Sequence, residues 1–131
     1  MLITREADYA VRCVLYLAGN TERSSSAGEI ARAMSVPKTF LAKILQRLHL
    51  AHLVASVRGA GGGYRLARRP EDVTLLDVVS AIQGPVAINL CAVEGEKCGL
   101  SSTCTVHPVW TRLRGEVENE LRKVTMKDLA S

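Results

Sequence analysis

Residues 59–63 read Gly-Ala-Gly-Gly-Gly, set between Leu-Val-Ala-Ser-Val-Arg at 53–58 and Tyr-Arg-Leu-Ala-Arg-Arg at 64–69. Four glycines in five positions rule out a helix there, because glycine gives up the most backbone freedom when fixed and carries no side chain to pack. The flanking runs have the valine-rich, alternating character of strands, so the segment predicts a hairpin with a flexible, close-approaching tip. A nucleotide-binding phosphate loop is the competing reading of such a run. No Lys-Ser/Thr pair follows and no helix opens after it, which sets that reading aside. Whatever precedes the hairpin has to pack against it.

What precedes it is helical. Ala7, Ala10, Val11, Val14, Leu15 and Ala18 recur at three- and four-residue spacing and Gly19-Asn20 follows, predicting a first helix over about 4–19. Cys13 falls among these apolar positions and reads as a small buried thiol. Ser26 to Glu29 has capping-box form and opens a short second helix ending near Met34. Pro37 then suits the first position of a third helix, with Phe40, Leu41, Ile44, Leu45 and Leu48 on one stripe and Lys38, Thr39, Lys43, Gln46 and Arg47 largely off it. Two short helices joined by a tight turn, the second with a basic outer face, form a helix-turn-helix; followed by a basic hairpin they form a winged helix. The expected fold class is therefore mainly α, a winged helix-turn-helix over residues 1–84 with a small β-hairpin wing.

Thr74 with Asp77 opens a fourth helix that Gly84-Pro85 closes. A cysteine-rich loop is expected over 85–107. From His107-Pro108 onward a last helix carries Trp110, Leu113, Val117, Leu121 and Val124 on one stripe, so 108–131 reads as a dimerisation helix and tail. With 131 residues and 47% hydrophobic content the chain can build one modest core. No apolar run approaches the roughly 20 residues a bilayer requires, so no membrane partner is expected. Glu6, Asp8 and Arg12 interrupt any leader-like pattern, so a cytoplasmic chain is expected. In that reducing setting, clustered cysteines favour metal ligands or redox thiols over a disulfide framework.

The net charge of +4 is unevenly divided: residues 1–70 hold 11 Lys and Arg against 4 Asp and Glu, a surplus of +7, while residues 71–131 total −3. A basic winged helix implies a polyanionic partner, double-stranded DNA. Thr39 and Lys43 are the candidate base contacts, with Ser35 and Lys38 behind them. Arg58, Tyr64 and Arg65 would set the wing on sugar and phosphate, and Gly61 and Gly62 would allow close backbone approach. An enzyme built on Cys98 or Cys104 is not expected, since no base is assignable and the His-x-Glu with Pro-Cys-x-x-Cys arrangement of zinc deaminases is missing.

The N-terminal LITREADYAVRCVLYLA, the LVASVRGAGGGYRLA hairpin and the triplet Cys91, Cys98, Cys104 together resemble the Rrf2 family of bacterial regulators, over nearly the whole chain. The resemblance implies a homodimeric regulator that binds a pseudo-palindromic operator and holds an iron-sulfur cluster near the dimer interface. His107 matches the histidine that completes a two-iron two-sulfur cluster in IscR-like members. Asp8, from the other subunit, matches the carboxylate that completes a four-iron four-sulfur cluster in NsrR-like ones. His107 and the two-iron form are preferred here, although the interval from Cys91 to Cys98 is longer than in IscR-like members. Zinc held by three thiolates and an imidazole is the alternative, as is a thiol-redox regulator without a cluster. A bound group would tie the acidic loop to the helices and set the separation of the two recognition helices.

Overall fold

A computed structural model describes residues 2–89 and 103–130. Six α-helices and one hairpin appear among them: α1 Arg5–Ala18, α2 Ala27–Met34, α3 Lys38–Leu50, β1 Val54–Val57, β2 Gly63–Leu66, a 3₁₀ turn at Pro70–Asp72, α4 Leu75–Gln83, α5 His107–Lys123 and α6 Met126–Ala130. The winged helix-turn-helix is thus present, with a two-stranded hairpin as its wing. No described helix is long and apolar enough to cross a membrane.

The helices start where side chains satisfy orphan amides. Thr4 accepts from the Ala7 amide at α1, Ser26 from the Glu29 amide at α2, and Thr74 with Asp77 forms a complete capping box at α4. Two local expectations change in three dimensions. Pro37 caps α3 from outside rather than occupying its first turn, and α3 begins at Lys38. Phe40 leaves the apolar stripe: it is exposed and lies against Tyr9 of α1, ring centroids 5.7 Å apart. A strict 3.6-residue period puts Phe40 next to Leu41, but the stripe is narrow and Leu41 already fills the inward position.

The core is formed by the inner face of α1, with Ala10, Cys13, Val14 and Leu17, against Ile30 of α2 and Leu41, Ile44, Leu45 and Leu48 of α3. Each large aliphatic side chain buried this way contributes roughly 1.5–3 kcal/mol. Burial pushes the Cys13 thiol up to about 12, so at neutral pH it stays protonated and packs as a small apolar group.

Strands β1 and β2 pair antiparallel from Val54↔Leu66 to Val57↔Gly63, and the tip closes with the Gly62 amide donating to the Gly59 carbonyl at 2.9 Å. Behind the wing, the tail docks on its own domain. Met126 is fully buried in the same core, its amide donates to the Val73 carbonyl at 2.8 Å, and the Leu75 amide donates to Val124 at 2.8 Å. The segment Val73-Thr-Leu-Leu-Asp77 is echoed in Val124-Thr-Met-Lys-Asp128, and each starts a helix. Thr125 and Asp128 repeat the reciprocal capping bonds of Thr74 and Asp77, at 3.0 and 3.1 Å. Thr74 and Thr125 meet in an antiparallel bridge, so the far end of α5 is tied to the start of α4. Midway along α5, Arg114 Nε donates to the Val86 carbonyl at 3.0 Å, just after α4.

Candidate functional site

Of the nine arginines in the first seventy residues, four carry ion pairs among the described residues, while Arg5, Arg32, Arg58, Arg65 and Arg68 carry none. Arg12 pairs with Asp8 at 3.0 Å, Arg23 with Glu29 at 2.6 Å, Arg47 with Glu6 at 3.2 Å and Arg69 with Asp72 at 2.9 Å. These brace the fold. Arg47 also donates to the Ile82 carbonyl at the end of α4, and Arg12 to the carbonyls of Met34 and Ser35 in the turn between α2 and α3. Among the described residues Lys38, Lys43, Arg58, Arg65 and Arg68 have no carboxylate within 4.0 Å, and all five are exposed. Lys38 and Lys43 lie on α3; Arg58, Arg65 and Arg68 flank the wing. Unpaired cations on one helix and one hairpin repel each other, a cost that a bound polyanion would reverse.

The remaining residues expected at this surface divide by what they touch. Thr39 is exposed on the first turn of α3. Ser35 closes α2 in the left-handed region, φ 54°, a conformation uncommon for a residue with a side chain. Gly61 is exposed at the tip and its carbonyl accepts from the Ser24 hydroxyl at 2.6 Å. Tyr64 is half-buried against the core and Gly62 is hemmed in by backbone, so these two hold the wing's shape. Arg65 Nη2 donates to the Thr21 carbonyl at 3.3 Å beside an open groove that Arg68 and Arg69 also line. Arg32, exposed on α2 and likewise without a carboxylate partner among the described residues, was missed in the sequence pattern. Its position before the turn of the motif is the signal that identifies it.

Of the expected ligand set, Cys91 and Cys98 lie outside the described residues. Cys104 is a free, half-buried thiol three residues before His107, the first residue of α5. His107 Nδ1 is buried and has no hydrogen-bond partner among the described residues. Such a nitrogen is costly unless something binds it, so the position suits a metal or cluster ligand. Asp8 is exposed on α1 and engaged by Arg12. Among the described residues no three His, Cys, Asp or Glu side chains gather in a metal-binding group.

Residues 3–131 match the family model of Rrf2, described as an iron-dependent transcriptional regulator. The chain belongs to the Rrf2 family. This Rrf2 chain is 39% identical over 130 residues to protein aau3 of Rhizobium meliloti, covering 98% of this chain and 84% of that one. Among solved structures it is similar to CymR of B. subtilis, the global cysteine regulator, with TM-score 0.81, 27% identity and coverage of 99% and 96%. It is also similar to T. potens IscR, with TM-score 0.79, 26% identity and coverage of 98% and 85%. Family membership makes the Rrf2 chain a transcriptional regulator of winged-helix type and not an enzyme.

Arg23 and the Tyr16 hydroxyl hold the Glu29 carboxyl down to about 2, from the ordinary 4.5. A carboxyl lowered on folding stabilises fully above its unfolded value, and that contribution is lost as pH falls towards the folded one. Glu29 is therefore expected to keep its pairing from neutral pH down towards its folded value of about 2. Carboxyl ¹³C shifts followed against pH check this, and a midpoint near 4.5 would show that the pair does not persist in solution.

Proposed function

We propose that this chain is a homodimeric regulator that reads double-stranded DNA with α3 and the wing and is switched through the thiolates of residues 91–104 and His107. The observation that carries the DNA reading is the unpaired set Lys38, Lys43, Arg58, Arg65 and Arg68 on two adjacent elements, beside four arginines that are neutralised. Thr39 and Lys43 read base edges in the major groove; Lys38, Arg58 and Arg65 hold phosphates, with Gly61 at the tip. The apolar stripe of α5, with no fully buried residue, supplies the two-fold contact that spaces two recognition helices by about 34–36 Å on a pseudo-palindromic operator.

Two forms of the switch are supported by different observations. Similarity to a global cysteine regulator, together with a free Cys104, supports a thiol-redox form, or one stabilised by zinc on three thiolates and His107. The family's iron-dependent description and the unpartnered His107 Nδ1 support an iron-sulfur cluster on Cys91, Cys98, Cys104 and His107, which would supply one-electron redox chemistry and sensitivity to oxidants. With Asp8 in place of His107 the cluster would be of the four-iron type. Either form biases the arrangement of the two winged domains, and a few kcal/mol of bias changes operator occupancy by orders of magnitude.

Iron, acid-labile sulfide and zinc are measured on protein purified without oxygen, alongside binding to duplexes that the protein selects from a randomised pool. Equal iron and sulfide, lost in the His107→Ala variant, is the result expected of a cluster; zinc without sulfide supports the zinc form, and neither metal the thiol form. Salt-insensitive binding, or none, would overturn the DNA reading.

A further inference from the structure

Glu29 stands at the third position of α2, where its carboxylate could return to the Ser26 amide and complete the cap that the Ser26 hydroxyl begins. It turns away instead, accepting the Tyr16 hydroxyl of α1 and pairing with Arg23 at 2.6 Å. A side chain that gives up a local partner for a distant one points to a tertiary demand. Arg23 Nη2 also donates to the Tyr16 oxygen at 3.2 Å, and its Nη1 donates to the Ser24 carbonyl and the Ser25 hydroxyl, both at 3.3 Å. The cluster thus joins the end of α1, the start of α2 and the arm of chain between them.

That arm is what the wing rests on. Ser25 is fully buried, its amide donates to the Tyr64 carbonyl at 2.8 Å and the Tyr64 amide donates back to Ser25 at 2.7 Å. The Ser24 hydroxyl reaches the tip at Gly61, and Arg65 reaches back to Thr21. Gly63 lies so close that a Cβ there would sit 2.4 Å from the Ser25 oxygen. A two-stranded hairpin is marginal alone, and its direction is set by whatever pairs with its open edge.

We propose that Arg23, with Tyr16 and Glu29, is a positioning cluster that aims the wing: it fixes the Ser24–Ser25 arm, and the arm sets the tip where Arg58 and Gly61 meet DNA. The proposal rests on the reading that the wing contacts DNA. Local spacing assigns Glu29 to a capping box with Ser26; Tyr16, the partner that diverts it, lies on another helix.

The test is a double-mutant cycle on the full chain, with a duplex the protein has selected from a randomised pool as the probe. Tyr16→Phe and Glu29→Gln are each measured in the wild-type and the Arg58→Ala backgrounds across a salt series. In the wild-type background each is expected to weaken binding about 5- to 30-fold and flatten the salt dependence. In the Arg58→Ala background, where the tip contact is already gone, the further loss is expected to be under about twofold. Equal losses in both backgrounds, or no loss in either, overturn the positioning role. If Arg58→Ala itself changes neither affinity nor salt slope, the wing reading fails, and the aiming of DNA contacts fails with it. Hydrogen exchange gives an arm independent of DNA: the Tyr64 amide is expected to exchange at least about tenfold faster in both variants while amides of α3 keep their protection. Unchanged Tyr64 protection overturns the proposal whatever the binding data show.

Discussion

Replacing Met126 with Ala is expected to cost about 2–5 kcal/mol of stability, a large share of the 5–15 kcal/mol that a domain of this size holds. The side chain is fully buried among Val73, Val78 and the inner face of α1, although it belongs to a helix of only five residues near the end of the chain. Its amide is also committed, donating to the Val73 carbonyl. Leu129, one turn further on, is 46% exposed and serves as the control, with an expected change within about 0.5 kcal/mol on substitution by Ala. Denaturant or thermal unfolding measures both. Loss of under about 1 kcal/mol in Met126→Ala would mean that the tail is not docked in solution. The tie between α5 and the winged domain would then lose the backbone bonds at Val73, Val124 and Met126 while keeping the Arg114 to Val86 contact.

The second large effect falls on binding and spares the core. A Cβ at Gly62 would lie 2.3 Å from the Val57 carbonyl oxygen and 2.7 Å from that of Gly59, both backbone atoms that no rotamer change can move. Gly62→Ala must therefore open the hairpin tip. Because the tip lies outside the hydrophobic cluster, the melting temperature is expected to change little. Affinity for a selected duplex is expected to fall on the order of a hundredfold, and the salt slope by roughly 2, as the wing's phosphate contacts are lost together. Fluorescence anisotropy across a salt series reads both. An unchanged slope would remove the wing from the phosphate-binding surface.

The parts of this molecule visible in the sequence are those governed by near neighbours. Period-3.6 stripes predict α1, α3 and α5, the cap patterns at Ser26–Glu29 and Thr74–Asp77 predict the starts of α2 and α4, and the glycine run predicts the wing to within a residue or two. The stripe of the last helix stops short of Val124, which is extended, and a separate helix α6 follows. Other features depend on partners that helix periodicity and caps do not show. Phe40 sits outside because Tyr9, thirty-one residues earlier, offers it a surface face. Glu29 is diverted by Arg23 and Tyr16. Tyr64 and Gly62 are expected at the DNA surface on local grounds; in the fold Tyr64 also packs against the core, and a Cβ at Gly62 would meet the backbone of Val57 and Gly59. The repeat of Val-Thr-x-x-Asp at 73 and 124 was legible as text, but that its two copies pair with each other was not.

Cation positions show the same division. Sequence alone established that the first half is basic and that its basic residues accompany a helix-turn-helix and a hairpin. It also established that three thiols and an imidazole are concentrated within seventeen residues of chain, which is a matter of spacing and chemistry. Which arginines are free to meet a polyanion was decided in part only by the tertiary structure. Arg12 and Arg69 have carboxylates three or four residues away, Asp8 and Asp72, which local spacing shows. Arg23 and Arg47 look no different in sequence from Arg58 or Arg68, and only the packing of α1, α2, α3 and α4 brings Glu29, Glu6 and the Ile82 carbonyl against them. The reason is range. Helix periods, caps and tight turns are set within four residues, whereas ion pairing acts through space at a few ångströms and depends on which surfaces the core has brought together.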